Sequence, residues 1–188
     1  MTQDLGSGPE TAHSVSQRLS DDLYVWGVDG KSSKLAIGYD GLSRGARSLK
    51  FTKGLHGGRR LAAIYRESKT FAAALARRYP PAYVWCEEIV LYHDRPSPIL
   101  YQAAGCIMAG IYDALEFDNP HPVTVDVVMT KDWKKRSVGN GAAKKDAVMW
   151  WARQDGYTGL DQDEADAYCI AVAGRKLLEP APEQLALA

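Results

Sequence analysis

Three short extended runs come early in the chain and are separated by only a few residues each. They cover residues 23–28, 34–39 and 47–51, and the first two are rich in the aromatic and branched side chains that strands favour. Turn-forming glycines, Gly30 and Gly41, lie between the runs. Connections this short join antiparallel neighbours, so the sequence predicts a three-stranded antiparallel meander.

Beyond the meander, helical and extended patterns alternate. Apolar residues recur at helical spacing over residues 59–78, and a run of strand type follows at 82–86. The remaining predicted elements are a small-residue helix at 99–115, a strand at 123–127, a basic loop at 131–141, and helices at 142–154 and 163–178. Crossover connections are right-handed and bring the strands they join into parallel. We therefore predict an α/β fold: a mixed five-stranded sheet, an antiparallel three-strand meander plus parallel strands, flanked by helices.

The length and composition are those of one compact domain. The chain has 188 residues, of which 46% are hydrophobic and 24% charged. We expect the domain at residues 22–179, after a disordered leader at 1–21 and before a flexible tail at 180–188. No apolar run approaches the ~20 residues of a membrane span, and the N-terminal residues lack signal-peptide features. Three dispersed cysteines indicate reduced thiols, so the expected location is cytoplasmic.

Charge is balanced but unevenly distributed, with 23 basic and 23 acidic residues in the chain. Residues 31–78 hold twelve basic residues against two acidic ones, and residues 131–145 hold six against one. Residues 155–166 hold five acidic residues and no basic one. This segregation is typical of a protein that holds a polyanion on one surface and metal ions on another. Separate solvated faces of opposite sign explain it equally well.

Carboxylates follow two predicted strands and occupy one helix face. Asp29 ends the first strand, and Glu87 or Glu88 ends the fourth. If these strands are parallel neighbours, their acids meet at one edge of the sheet, where open α/β sheets place their sites. Asp163 and Asp166 lie three residues apart and share a helix face. Four such oxygen ligands can hold two divalent cations, the arrangement that hydrolyses phosphodiesters.

Each of these acids also has a simpler interpretation. Asp29 before a glycine fits a turn residue, and Glu87 and Glu88 fit solvated loop acids. Asp161 with Glu164 three residues later fits a helix N-cap. Taken singly these interpretations are favoured, but the joint occurrence of the acids on these elements favours a metal site.

Four stretches resemble the signatures of the RuvC-type Holliday junction resolvases, in the RNase H-like superfamily. They are YVWGVD at 24–29, WCEE at 85–88, SVGNGAAKK at 137–145 and DEADAYCIA at 163–171, with QAAG at 102–105 as a further match. The resemblance extends over residues 23–174. It implies an RNase H-like fold, a homodimer, two Mg²⁺ or Mn²⁺ ions per active site, and nicking of opposed strands in branched DNA, the four-way junction.

The resemblance also implies roles for individual residues. Asp29, Glu87, Asp163 and Asp166 are the implied metal ligands, with Glu88 as the alternative to Glu87. Lys145 is implied near the cleaved phosphate, where an ammonium stabilises developing negative charge. The catalytic set is thus the four acids and Lys145. The expected DNA-binding residues are Lys134, Lys135, Arg136, Lys144, Arg59 and Arg60.

The sequence departs from the family pattern in two places. Gly30-Lys31-Ser32 follows Asp29 where the family usually has Pro-Gly, and residues 42–58 do not fit the pattern. We therefore expect a divergent member of the family. If it is phage-encoded, its expected location is the host cytoplasm. A flap- or fork-cleaving nuclease of the same fold is the alternative, followed by a catalytically inactive module that binds branched DNA. Trp133, beside the basic residues, could stack on DNA or pack in the core.

Overall fold

The computed structural model describes residues 23–88 and 98–178. The predicted leader at 1–21 and the predicted tail at 180–188 lie outside the described residues.

Five strands form one mixed sheet in the order β3-β2-β1-β4-β5. Their bounds are Tyr24–Lys31 for β1, Lys34–Asp40 for β2, Arg44–Lys50 for β3, Pro81–Glu87 for β4 and Thr124–Val128 for β5. β1 pairs with β2 and β2 with β3 in antiparallel ladders, whereas β1 with β4 and β4 with β5 are parallel. The predicted combination of a meander with parallel strands is confirmed.

Helices cover both faces of the sheet. Their bounds are Gly57–Ala76 for α1, Pro98–Asp118 for α2, Thr130–Ser137 for α3, Lys145–Gln154 for α4 and Gln162–Leu178 for α5. Trp26 and Val28 of β1 pack towards α1 and α2, while the other face of the sheet packs against α5 with α3 and α4 beside it. Among the described residues, no helix is both long enough and apolar enough to cross a bilayer.

The predicted basic loop at 131–141 is wrong over most of its length, because Thr130–Ser137 is a helix. Only Trp133 and Ser137 of this helix are buried, and Trp133 is 1% exposed. One buried aromatic amid charged side chains produces no apolar periodicity, so its helical state was not readable from the pattern. Helix α4 also begins three residues later than predicted, at Lys145.

Two glycines let α5 lie directly against the sheet. Gly27 of β1 is paired with Gly38 of β2 in the ladder. A Cβ atom at either position would overlap the backbone carbonyl of Ala167 in α5. The missing side chains therefore allow a close approach of helix and strands. Ala167 follows Asp166, so this contact sets how near the acids of α5 come to the end of β1.

Candidate metal centre

Asp29 and Glu87 stand at equivalent ends of two neighbouring parallel strands. Val28 pairs with Cys86 in the ladder of β1 and β4, and the next residue of each strand is the acid. Asp29 lies within β1 opposite Ala36 of β2 and is only 4% exposed. The interpretation of Asp29 as a turn residue is therefore wrong. The two carboxylates belong to the same sheet edge, as the sequence predicted.

Helix α5 supplies two further carboxylates to this edge. Asp163 and Asp166 lie in its first two turns. One carboxylate oxygen from each of them and one from Asp29 all lie within 4.8 Å of one another. Asp161 has a different role, because its Oδ1 accepts hydrogen bonds from the backbone N–H groups of Asp163 and Glu164. It caps the helix. The cap orients the turn that carries Asp163.

The electrostatics of the cluster favour an added cation. Burial raises the pKa of Asp29 to about 7, although Lys31 opposes the shift, and the charges of Glu87 and Asp163 add to it. Burial likewise raises the pKa of Asp166, with the charge of Glu87 contributing. Asp163 behaves differently, since nearby ammonium groups outweigh its burial and lower its pKa. Negative charges crowded in a partly dry site disfavour their own ionisation, and a metal ion would relieve this.

Glu87 is held by two donors from α3. Thr130 Oγ1 donates to Glu87 Oε1 at 2.8 Å, and Trp133 Nε1 donates to the same oxygen at 3.0 Å. Trp133 is thus a buried anchor of the carboxylate and not a base-stacking residue. Packing was one of the two predicted roles of Trp133, but this hydrogen bond was not predicted, and no sequence pattern marked Thr130. Glu88, the alternative ligand, is exposed at the end of β4.

A cleft of about 300 Å³ adjoins the acids. Asp29, Glu87 and Asp166 line it, as does the alternative ligand Glu88. Two predicted cationic residues line it as well, Lys134 of α3 and Lys145 at the start of α4. Cations and acids of the predicted site therefore share one cavity. Lys134 also lies over the ring of Trp133, 5.4 Å from its centroid, which keeps the lysine beside the Glu87 anchor.

The other predicted DNA-binding residues lie elsewhere. Lys135 and Arg136 line a second groove, together with Trp85 of β4, on the side of the sheet that carries α5. Arg60 donates to the backbone carbonyl of Ser32 in the β1–β2 turn, which is a structural contact at the rim of the cleft. Arg59 and Lys144 are exposed. Of these six predicted DNA-binding cations, only Lys134 lines the cleft of the acids. Lys145, which has a separate predicted role near the cleaved phosphate, lines it too.

Two lysines that the sequence analysis did not assign also contact the acids. Lys31 Nζ bonds Asp29 Oδ2 at 3.1 Å and also pairs with Asp163. Lys34 Nζ pairs with Asp161 and lies 3.2 Å from Asp163 Oδ2. One signal was available for Lys31: residues two apart on a strand point to the same face, so Lys31 and Asp29 had to be neighbours.

The donor set fits a hard divalent cation. Carboxylate oxygens are the ligands that Mg²⁺ and Mn²⁺ prefer, and Asp29, Asp163 and Asp166 present them within reach of one ion. Glu87 adds a fourth carboxylate on the same cleft. The ammonium of Lys31 contacts both Asp29 and Asp163, so a positive charge already lies between these two carboxylates.

No family model and no curated protein matches the sequence. Solved structures do match. The RuvC structure from Thermus thermophilus is 21% identical over 80% of this chain and 92% of its own, with a TM-score of 0.59. A structure of T. thermophilus RuvC in complex with a Holliday junction substrate is 19% identical over 83% of this chain and 97% of its own, with a TM-score of 0.62. The yeast mitochondrial Holliday junction resolvase Ydc2 is 10% identical over 82% of this chain and 79% of its own, with a TM-score of 0.51.

These similarities establish the fold. The chain has the RNase H-like architecture of RuvC, with the mixed sheet and flanking helices that the sequence predicted. At 10–21% sequence identity the similarity shows the fold alone, so the activity has to be argued from the residues of the site.

Proposed function

We propose that the protein is a metal-dependent endonuclease that cleaves four-way DNA junctions. The observation that carries the proposal is the group of carboxylate oxygens from Asp29, Asp163 and Asp166 within 4.8 Å, at the end of β1 in a RuvC-like fold. A neighbouring structure of this fold is a complex with a Holliday junction, which supports the choice of substrate. The cytoplasmic location stays a prediction.

Asp29, Glu87, Asp163 and Asp166 would hold two Mg²⁺ or Mn²⁺ ions. When bound, such ions supply an activated water and neutralise charge on the attacked phosphate and the leaving oxygen. The chain's own contribution is to fix the ligands. Thr130 and Trp133 orient Glu87, and Gln162 Nε2 donates to Asp166 Oδ1 at 3.0 Å, so neither carboxylate rotates freely.

The lysines of the cleft would act on the DNA. Lys145 is exposed at the first position of α4 and lines the cleft of the acids, which supports a contact between its ammonium and a backbone phosphate bound there. There it would stabilise the charge that develops on the phosphate oxygens. Lys134, held over the Trp133 ring, would bind a neighbouring phosphate and position the strand.

A homodimer belongs to this proposal, because two symmetric nicks need two sites related by a two-fold axis. We place the contact of this dimer on helix α2. This helix exposes Tyr101 and Tyr112, which are 42% and 56% exposed, and Gly105 lies exposed between them. An apolar face with a small residue at its centre suits close packing against the same face of a second copy.

The test is cleavage of synthetic DNA by the purified protein. A four-way junction, a flap and a plain duplex are each incubated with Mg²⁺, with Mn²⁺ or with EDTA, and the products are mapped on a denaturing gel. We expect paired nicks in opposed strands of the junction, none in EDTA, and little cleavage of the duplex.

Other results would select the alternatives. Cleavage of the flap as fast as the junction, by a protein that sediments as a monomer on DNA, would favour the flap nuclease. Junction binding without cleavage in either metal would favour the inactive binding module.

A further inference from the structure

The hairpin that follows Asp29 places a lysine inside the acid cluster. Lys31 Nζ lies 3.1 Å from Asp29 Oδ2 and also bonds Asp163, so a single ammonium bridges an acid of β1 and an acid of α5. Asp29 and Asp163 are two of the three residues whose oxygens approach within 4.8 Å. The ammonium therefore occupies part of the space in which a metal ion would contact both carboxylates.

Lys34 is the matched neighbour of Lys31 but is held differently. The two lysines face each other at the end of the β1–β2 ladder. The Lys34 side chain is 11% exposed and is tied to the helix cap Asp161 as well as to Asp163. The Lys31 side chain is 44% exposed and has solvent beside it. Lys31 can therefore swing out on its flexible stem, whereas Lys34 is fixed against α5.

We propose that Lys31 is an internal competitor of the metal: its ammonium bridges Asp29 and Asp163 in the metal-free protein and leaves the cluster when a divalent cation binds. The inference rests on the proposed function in taking this cluster as the metal site.

The charges explain why the two cations compete. An ammonium and a divalent ion that both contacted Asp29 would lie a few ångströms apart and repel each other beside this buried carboxylate. The ammonium carries one positive charge and the metal ion carries two. A sufficient concentration of metal ion therefore displaces the ammonium from the carboxylates. Until then it offsets the mutual repulsion of Asp29, Glu87 and Asp163; burial raises the pKa of Asp29, and the charges of Glu87 and Asp163 add to that rise. The cost of displacing Lys31 then weakens the apparent metal affinity.

Metal binding by the full chain without DNA tests this directly. Mn²⁺ titrations followed by calorimetry would compare the wild type with Lys31→Met, which keeps the length of the side chain and removes its charge. We expect the Lys31→Met variant to bind Mn²⁺ roughly tenfold more tightly, since the competing charge is gone. Lys31→Arg keeps a cation and should bind within about threefold of the wild type.

Thermal unfolding provides the second measurement. In EDTA the Lys31→Met variant should unfold at a lower temperature than the wild type, because the carboxylates lose their bridge. Saturating Mn²⁺ should raise the unfolding temperature of Lys31→Met to the wild-type value or above. The rise in unfolding temperature on Mn²⁺ binding is then larger for the variant than for the wild type. Lys34→Met is the matched control. It should lower the unfolding temperature in EDTA and in Mn²⁺ alike and change the Mn²⁺ affinity less than Lys31→Met.

The outcomes separate the two proposals. If the wild type and Asp29→Asn both fail to bind Mn²⁺, the metal site itself is wrong and the inference falls with it. If the wild type binds Mn²⁺ but Lys31→Met binds it no more tightly, only the role of Lys31 is overturned. An equal gain in affinity for Lys34→Met would mean a general effect of charge and would also overturn it.

Discussion

The indole Nε1 of Trp133 donates a hydrogen bond to Glu87 Oε1 at 3.0 Å. The two residues are 46 positions apart, and the bond joins the only large buried side chain of α3 to the acid at the end of β4. Helix α3 also carries Lys134, which lines the cleft. A single buried aromatic thus couples the position of a basic helix to the position of a predicted metal ligand.

Replacing Trp133 by Phe should slow cleavage while leaving the fold intact. Phenylalanine keeps most of the packing and loses the donor to Glu87, so the carboxylate is held by Thr130 alone. We expect the free energy of unfolding to fall by about 1.5 kcal/mol, the typical contribution of a hydrogen bond to a charged group. We also expect weaker metal binding. Cleavage at several Mg²⁺ concentrations and urea unfolding measure the two effects.

The control for this prediction is Trp150→Phe. Trp150 is 64% exposed on α4, so the same substitution should change neither stability nor cleavage by a measurable amount. Wild-type metal dependence in Trp133→Phe would show that the hydrogen bond has no part in positioning Glu87.

Changing Asp29, Glu87, Asp163 or Asp166 to its amide should abolish cleavage and leave junction binding intact or slightly tighter. An amide keeps the volume of the carboxylate and loses the charge that holds the metal. Removing one of four clustered negative charges also reduces repulsion of the DNA backbone. Binding by gel shift in EDTA and cleavage in Mg²⁺ are the two measurements. Near wild-type cleavage by Asp29→Asn or Asp166→Asn would refute the metal assignment.

The choice of control for these variants follows from the structure. Glu88→Gln should remain largely active, and an inactive Glu88→Gln with an active Glu87→Gln would move the ligand by one residue. Glu164→Gln is a poorer control. Ser48 Oγ donates to Glu164 Oε1 at 2.6 Å and Tyr157 to Oε2 at 3.1 Å, so an amide leaves one donor without its acceptor. We expect that variant to lose about 1 kcal/mol of stability.

Binding to branched DNA should depend strongly on salt and survive EDTA. Each lysine that neutralises a phosphate releases counterions, so Lys134→Ala or Lys145→Ala should make the negative slope of log K against log salt shallower by about 0.9. The control is Lys135→Ala, in the second groove, which should change the slope less. Fluorescence anisotropy across a salt series measures it. A binding constant that barely changes between low and moderate salt would contradict the prediction.

Gly38→Ala should strongly destabilise the fold. Its Cβ would overlap the backbone carbonyl of Ala167, and backbone cannot move aside as a side chain can, so α5 must shift off the sheet. We expect a loss of about 3 kcal/mol in urea unfolding, the upper end of common overpacking costs. Gly58→Ala in the first turn of α1, where a Cβ meets nothing within 4 Å, should be neutral or slightly stabilising. Equal stability of the two variants would mean that α5 does not depend on the close approach.

Local pattern was sufficient for the elements that carry the acids. The buried runs ending at Asp29 and Glu87 have the composition of strands, and the short connections of the meander left no other arrangement. The three-residue spacing of Asp163 and Asp166 put both on one helix face, and the structure brings both to Asp29. These features depend on residues that are close together in the sequence, so the sequence alone is sufficient to predict them. Their roles as metal ligands stay a prediction.

Contacts between distant segments required the tertiary structure. Helix α3 is stabilised by one buried tryptophan and shows no periodic pattern, so the sequence predicted a loop there. Lys31 bonds Asp163 from 132 residues away, and its proximity to Asp29 alone did not reveal that it bridges to a second acid. The paired glycines under α5 became meaningful only when the ladder set Gly27 opposite Gly38. The sequence by itself determined which acids the fold would offer, whereas packing between remote elements decided how close they lie and which cation stands among them.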